Sequence, residues 1–129
     1  MGLVKNAEFG FLATTEANQP RVRPVAPYLT DDNKLLLALF SHRRSIGQMK
    51  ENPLVEICFV DRKMAYCRIT EKAEIVNTPK SKKIMWNNSS MLRQYFSGHE
   101  DSNFCSVKLE IVAAEVMSAN DQKLQSIEF

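Results

Sequence analysis

Residues 11–28 read FLATTEANQPRVRPVAPY, and the fold turns on how this stretch is divided. Phe9 to Thr15 has the length and apolar content of a β-strand. Glu16-Ala17-Asn18-Gln19-Pro20 is a turn, built from residues that bond to the local backbone or fix φ. Arg21 to Leu29 then returns as the antiparallel partner. Its prolines at 24 and 27 each remove a ladder donor, so this strand lies at a sheet edge or carries a bulge.

Outward from this hairpin the chain continues as strands. Thr30 to Lys34 is a polar turn, and Leu35 to Phe40 is an unbroken apolar run, which predicts a strand buried on both faces. The period then changes. Ile46, Met49 and Leu54 share a helical stripe, and Asn52-Pro53 stops it, so a short helix is expected over Ser45 to Glu51. Val55 to Val60 is a fourth strand, Asp61-Arg62-Lys63 a tight turn, and Met64 to Val76 a long strand whose polar interruptions predict a bend. Thr78-Pro79 opens a helical insert carrying Ile84, Met85, Leu92 and Tyr95, with a break near Asn87-Asn88 and an end at Gly98. Phe104 to Met117 closes the series, with Val107, Leu109 and Ile111 on one face and Lys108 and Glu110 on the other. Residues 118–129 read as a polar, loose tail. The expected fold is mainly β: a six-stranded antiparallel split barrel, closed or nearly so, with one short helix after the third strand and a helical insert before the last.

A chain of 129 residues, 44% hydrophobic, fits one domain with a core of its own. No run approaches the roughly 20 apolar residues of a membrane span, and the N-terminus lacks the signature of a secretory signal, so a cytosolic protein is expected. Cys58, Cys67 and Cys105 have no paired spacing and sit in apolar segments, as free buried thiols do. Net charge is only +2, so basic residues matter where they bunch: Arg21 and Arg23 with His42-Arg43-Arg44, and Lys80 to Lys83.

The two histidines, His42 and His99, have no ligand spacing around them, which argues against a metal centre. No serine lies in a GxSxG elbow, and four glycines build no phosphate-cradling loop. Arginines hold phosphate in another way, through a planar fork that is charged at any physiological pH. Ser41-His42-Arg43-Arg44-Ser45 precedes the short helix, whose N-terminal donors would add to those charges, and Arg23 would close the pocket from the side. The alternative is that these arginines are solvated surface groups. For Lys80, Lys82 and Lys83 the expected role is likewise a solvated helix face; nucleic-acid binding is the rival.

FLATTEANQPRVRPVAPY, LLLALFSHRRSIGQMKENPLVEICF, YCRITEKAEIV and YFSGHEDSNFCSVKLEIVAAEV, in that order, resemble the pyridoxamine 5'-phosphate oxidase-like family of FMN-binding split β-barrels. Within it the chain resembles most the small general-stress and nitroimidazole-resistance type proteins. The resemblance implies a homodimer with FMN in a cleft between subunits and a small-molecule electron donor or acceptor. Neither nucleic acid nor membrane is expected as a partner. It implies that Arg23, Pro24 and Val25 lie along the ribityl chain and ring, that Phe40 and Ser41 end the strand approaching the ring, and that Arg43, Arg44 and Ser45 form the phosphate-gripping turn. Gln48 stands one helical turn later, and Tyr66 is placed to reach the partner subunit's flavin. Ser45 stands where many relatives have lysine, Arg43 where they have serine, and Leu39 near a threonine of theirs. The tail Gln125 to Phe129 lacks the Trp and Arg with which pyridoxamine phosphate oxidases recognise substrate, so vitamin B6 oxidation is not the expected reaction. The expected function is flavin-mediated electron or hydride transfer; the alternative is a non-catalytic module that binds flavin or heme.

Overall fold

A computed structural model of the chain describes residues 9–118, 120 and 123–127. The strands are β1 (Gly10–Glu16), β2 (Gln19–Val25), β3 (Tyr28–Leu29), β4 (Leu35–Phe40), β5 (Leu54–Val60), β6 (Tyr66–Ile75), β7 (Phe104–Met117) and β8 (Leu124–Ile127). Helix α1 (Arg44–Glu51) follows β4, and α2 (Pro79–Asn88) with a 3-10 turn (Ser90–Gln94) precedes β7. Among the described residues no helix is long and apolar enough to cross a membrane.

Among the described residues eight strands replace the expected six, for two separate reasons. The Arg21 to Leu29 segment is two strands, because Ala26 and Pro27 break it and send Tyr28–Leu29 to pair with β4 instead of β1. The presumed loose tail contains β8, which pairs antiparallel with Ala114–Met117 of β7. Its described side chains are exposed, so no hydrophobic pattern marks it; backbone bonds alone make it a strand.

The sheet order is β2-β1-β5-β6-β7-β4-β3, with β8 beside β7. Edge strands β2 and β3 are not paired with each other, yet only Ala26 and Pro27 separate them in the chain. Three Cα steps span at most about 11 Å, so the sheet must curl until its edges nearly meet. The barrel is therefore open along one seam. Leu12 and Val25 from one end of the order and Leu35 and Leu37 from the other share its core with Ile57, Ile69, Val107 and Leu109. Leu36 points the other way, into a second cluster with Met85, Leu92, Phe96 and Phe104 beneath the helical insert. β4 is thus buried on both faces, as its unbroken apolar run predicts.

The expected bend in β6 is a register shift between Thr70 and Glu71, with Val112 as the extra residue of β7. The shift changes the phase of β7: Cys105, Val107 and Leu109 point inward before it, and Ala114 after it. The turn before β6 is longer than expected. Asp61 accepts from the amides of Lys63 and Ala65, Met64 takes a φ of 69°, and pairing starts at Tyr66. Thr78 caps α2 by accepting from the Ser81 amide, and α2 ends at Asn88, where the Asn pair predicts a break.

Candidate functional site at the barrel mouth

Along β1 and β2 successive side chains alternate between the two faces of the sheet. Leu12, Thr14 and Glu16 share the inner face with Arg21, Arg23 and Val25, in the register Leu12 opposite Arg23 and Thr14 opposite Arg21. Leu12 and Val25 enter the core. The four polar members reach the end of the barrel that α1 covers, where Ile46 and Met49 sink into the core and anchor the helix. Asn52 ends α1, its amide donating to the Gln48 carbonyl.

Gln48 organises this end. Its side chain is only 6% exposed, and both halves of its amide are engaged. The Oε1 accepts from Thr14 Oγ1 at 2.5 Å and from Arg23 Nη2 at 3.1 Å, while Nε2 donates to Glu16 Oε2 at 2.5 Å. Arg23 Nη1 also donates to the Leu12 carbonyl at 3.1 Å. Burial lowers the Arg23 pKa from the ordinary arginine value, and a guanidinium so lowered still keeps its charge at neutral pH. The other Glu16 oxygen, Oε1, lies 4.0 Å from Arg21 Nη2 and 3.9 Å from Arg44 Nη1. Thr14, Gln48, Arg23, Glu16, Arg21 and Arg44 are thus one connected polar group.

The residues singled out from the sequence do not gather in one place. Arg23, Arg44 and Gln48 belong to this connected group. Arg43 is the N-cap residue of α1, with its guanidinium 5.8 Å from the Phe40 ring centre, and Ser45 is buried in the first turn. Phe40 packs against His42, Tyr95 and Phe96, and Ser41 donates to the Ser102 carbonyl at 2.9 Å. Along β2, Pro24 is exposed on the outer face and Val25 is in the core. Tyr66 lies apart from both, opposite Val60 and Met117, with the Arg68 guanidinium 5.7 Å from its ring centre. Glu16 is the residue that sequence reading assigns only to a turn. Its signal is parity: it stands two and four positions beyond Thr14 and Leu12 on the inward face.

The start of α1 suits an anion. It has no side-chain cap and no acidic residue in its first turn, and Arg43 and Arg44 are both exposed there. Lys82, by contrast, is not simply solvated: its ammonium stands 5.5 Å from the Phe104 ring centre, while Lys80 and Lys83 are exposed. Cys67 and Cys105 are buried free thiols and Cys58 is a half-buried one.

Residues 2–118 match the family model described as pyridoxamine 5'-phosphate oxidase, and the chain belongs to that family. Solved structures agree on the fold. A nimc/nima family protein from Clostridium acetobutylicum superposes with a TM-score of 0.87 at 22% identity, over 98% of this chain and 87% of that one. A pyridoxamine 5'-phosphate oxidase-related, FMN binding protein from Nostoc punctiforme gives 0.67 at 15% identity, over 98% and 93%. A heme binding protein from Mycobacterium smegmatis gives 0.77 at 15% identity, over 97% of this chain and 54% of that one. No curated protein sequence matches the chain.

Proposed function

We propose that the chain is an FMN-binding flavoprotein that works as a cytosolic homodimer and passes electrons or hydride between its flavin and a small molecule. The observation that carries this reading is the pair of exposed guanidiniums, Arg43 and Arg44, at an uncapped helix start in a barrel of this family. A doubly charged phosphate ester matches two such forks and the helix N-terminus together. Bound FMN would supply the redox chemistry. Arg43 and Arg44 would hold its phosphate, and Gln48, locked by Thr14 and Glu16, would fix Arg23 on the inner face of β2 where the ribityl chain would pass.

The second subunit is argued from the outer face of the same hairpin. Phe11 lies between Pro24 and Cys58 on the neighbouring strands, with Phe9 edge-on to it, and Val22, opposite Ala13, is 69% exposed. A contiguous apolar sheet face of this kind is covered in a stable protein, and a second copy is the simplest cover. Tyr66 would then approach the partner's flavin. Nucleic acid has no part in this reading, because the net charge of +2 leaves no long-range attraction.

The visible spectrum of the purified protein, followed by mass spectrometry of the released chromophore, is the test. FMN bands that bleach with NAD(P)H or dithionite and return in air support the reading. A Soret band instead points to the heme-binding alternative, which the Mycobacterium smegmatis structure makes the second choice. No binding of added FMN at micromolar concentration contradicts both the cofactor and its proposed site.

A further inference from the structure

Glu16 is an anion among the arginines of the proposed site, and it is hydrogen-bonded in place where Arg44 is not. Its Oε2 accepts from Gln48, whose other hydrogen bonds, to Thr14 and Arg23, hold that donor in place, so moving the carboxylate costs a part-buried hydrogen bond. Its Oε1 faces Arg21 and Arg44 at 4.0 and 3.9 Å. Arg44 is 76% exposed, long and free to change rotamer. An exposed pair of this kind contributes little to stability, so it is readily exchanged for another partner.

The geometry points to Glu16 as a specificity-determining residue: an internal carboxylate that competes with a ligand phosphate for Arg44, and so sets how strongly the site prefers phosphorylated over unphosphorylated flavin. This rests on the reading of Arg43 and Arg44 as the phosphate grip. Phosphate entry moves Arg44 from Glu16 to the ligand and places a dianion a few ångströms from a fixed negative charge. That repulsion acts on FMN and inorganic phosphate. Riboflavin, without phosphate, does not feel it.

Glu16→Gln removes the charge and keeps an oxygen that accepts from Gln48 Nε2, so the buried network survives. Inorganic phosphate is titrated into wild type and E16Q while the Arg44 side-chain Nε–Hε signal is followed by NMR, and FMN and riboflavin are titrated into the same pair by fluorescence quenching. Phosphate and FMN are expected to bind E16Q about fivefold to tenfold more tightly, with riboflavin changed by less than about twofold, the size a like charge exerts in partly exposed surroundings. Unchanged or weaker phosphate and FMN binding overturns the inference, as does a change equal for FMN and riboflavin. If inorganic phosphate behaves as expected while wild type binds neither flavin, the flavin reading falls and the competition stands. Should E16Q not fold, Glu16→Ala, which leaves Gln48 Nε2 to solvent at this part-exposed position, carries the same test with the same outcomes.

Discussion

Among the polar side chains buried in this molecule, two have opposite fates. Gln48, at the barrel mouth, has every polar group engaged. Glu71, on the inner face of β6 and 0% exposed, has no hydrogen-bond partner for either carboxylate oxygen. Burial pushes its carboxyl up to about 8, the nearby Ile57 amide opposes this, and the Glu56 charge adds to it by a smaller amount. The contrast separates two uses of buried polarity. A satisfied network fixes the direction of the charges around it, whereas an orphaned acid survives in a core only as its neutral form.

Replacing each residue with leucine should therefore move stability in opposite directions. Gln48→Leu strands Thr14, the Arg23 Nη2 group and Glu16 together, and should destabilise the fold by about 2–3 kcal/mol in urea unfolding, the cost of one buried and two part-buried groups left unpaired. Glu71→Leu removes an unpaired buried group in a similar volume, and should stabilise by about 1–3 kcal/mol at pH 8. Equal losses at both positions would erase the distinction.

The same acid gives a pH dependence of known sign. The folded-state pKa of Glu71, about 8, lies above its ordinary value of 4.5, so between these the folded protein holds a proton that the unfolded chain has released. This residue's favourable contribution is complete below pH 4.5 and is lost as pH rises towards 8. Wild-type stability should fall across that window more steeply than that of Glu71→Gln; parallel profiles would contradict a buried neutral acid.

The smallest expected effect lies in the β1–β2 turn that presents Glu16. Ala17, at a φ of 45°, is in the left-handed region that favours glycine. Ala17→Gly should raise stability by about 0.5–1 kcal/mol, because relief of backbone strain exceeds the added unfolded-state entropy. A loss on this substitution would mean that the turn is not strained.

The barrel was legible where side chains declare it. The apolar run of Leu35 to Phe40 and the Thr78-Pro79 helix start both carry local signals, and both elements are in place. β3 and β8 were not legible, since one is only Tyr28–Leu29 and the other is held by backbone pairing, with Leu124, Gln125 and Ser126 exposed. In the site, Arg43 and Arg44 stand out as a charge pair before a helix. Gln48 stands out in the sequence only through the family resemblance, as lying one helical turn past the phosphate-gripping turn; its hub position among Thr14, Glu16 and Arg23 arises only when α1 is seated on the hairpin, which tertiary packing decides. Glu16 was hidden by its position beside a turn, although its parity with Leu12 already places it on the inward face.

The central claim, that Arg43 and Arg44 grip a flavin phosphate, is tested most directly by comparing FMN with riboflavin on wild type and on the Arg43→Ala/Arg44→Ala double variant. Charge-assisted hydrogen bonds contribute about 1.5–3 kcal/mol each. The double variant should therefore lose FMN affinity by about a hundredfold or more, while riboflavin binding shifts by less than about threefold because it has no phosphate for these arginines to hold. Equal losses for the two flavins, or an FMN affinity that does not change, would contradict the account.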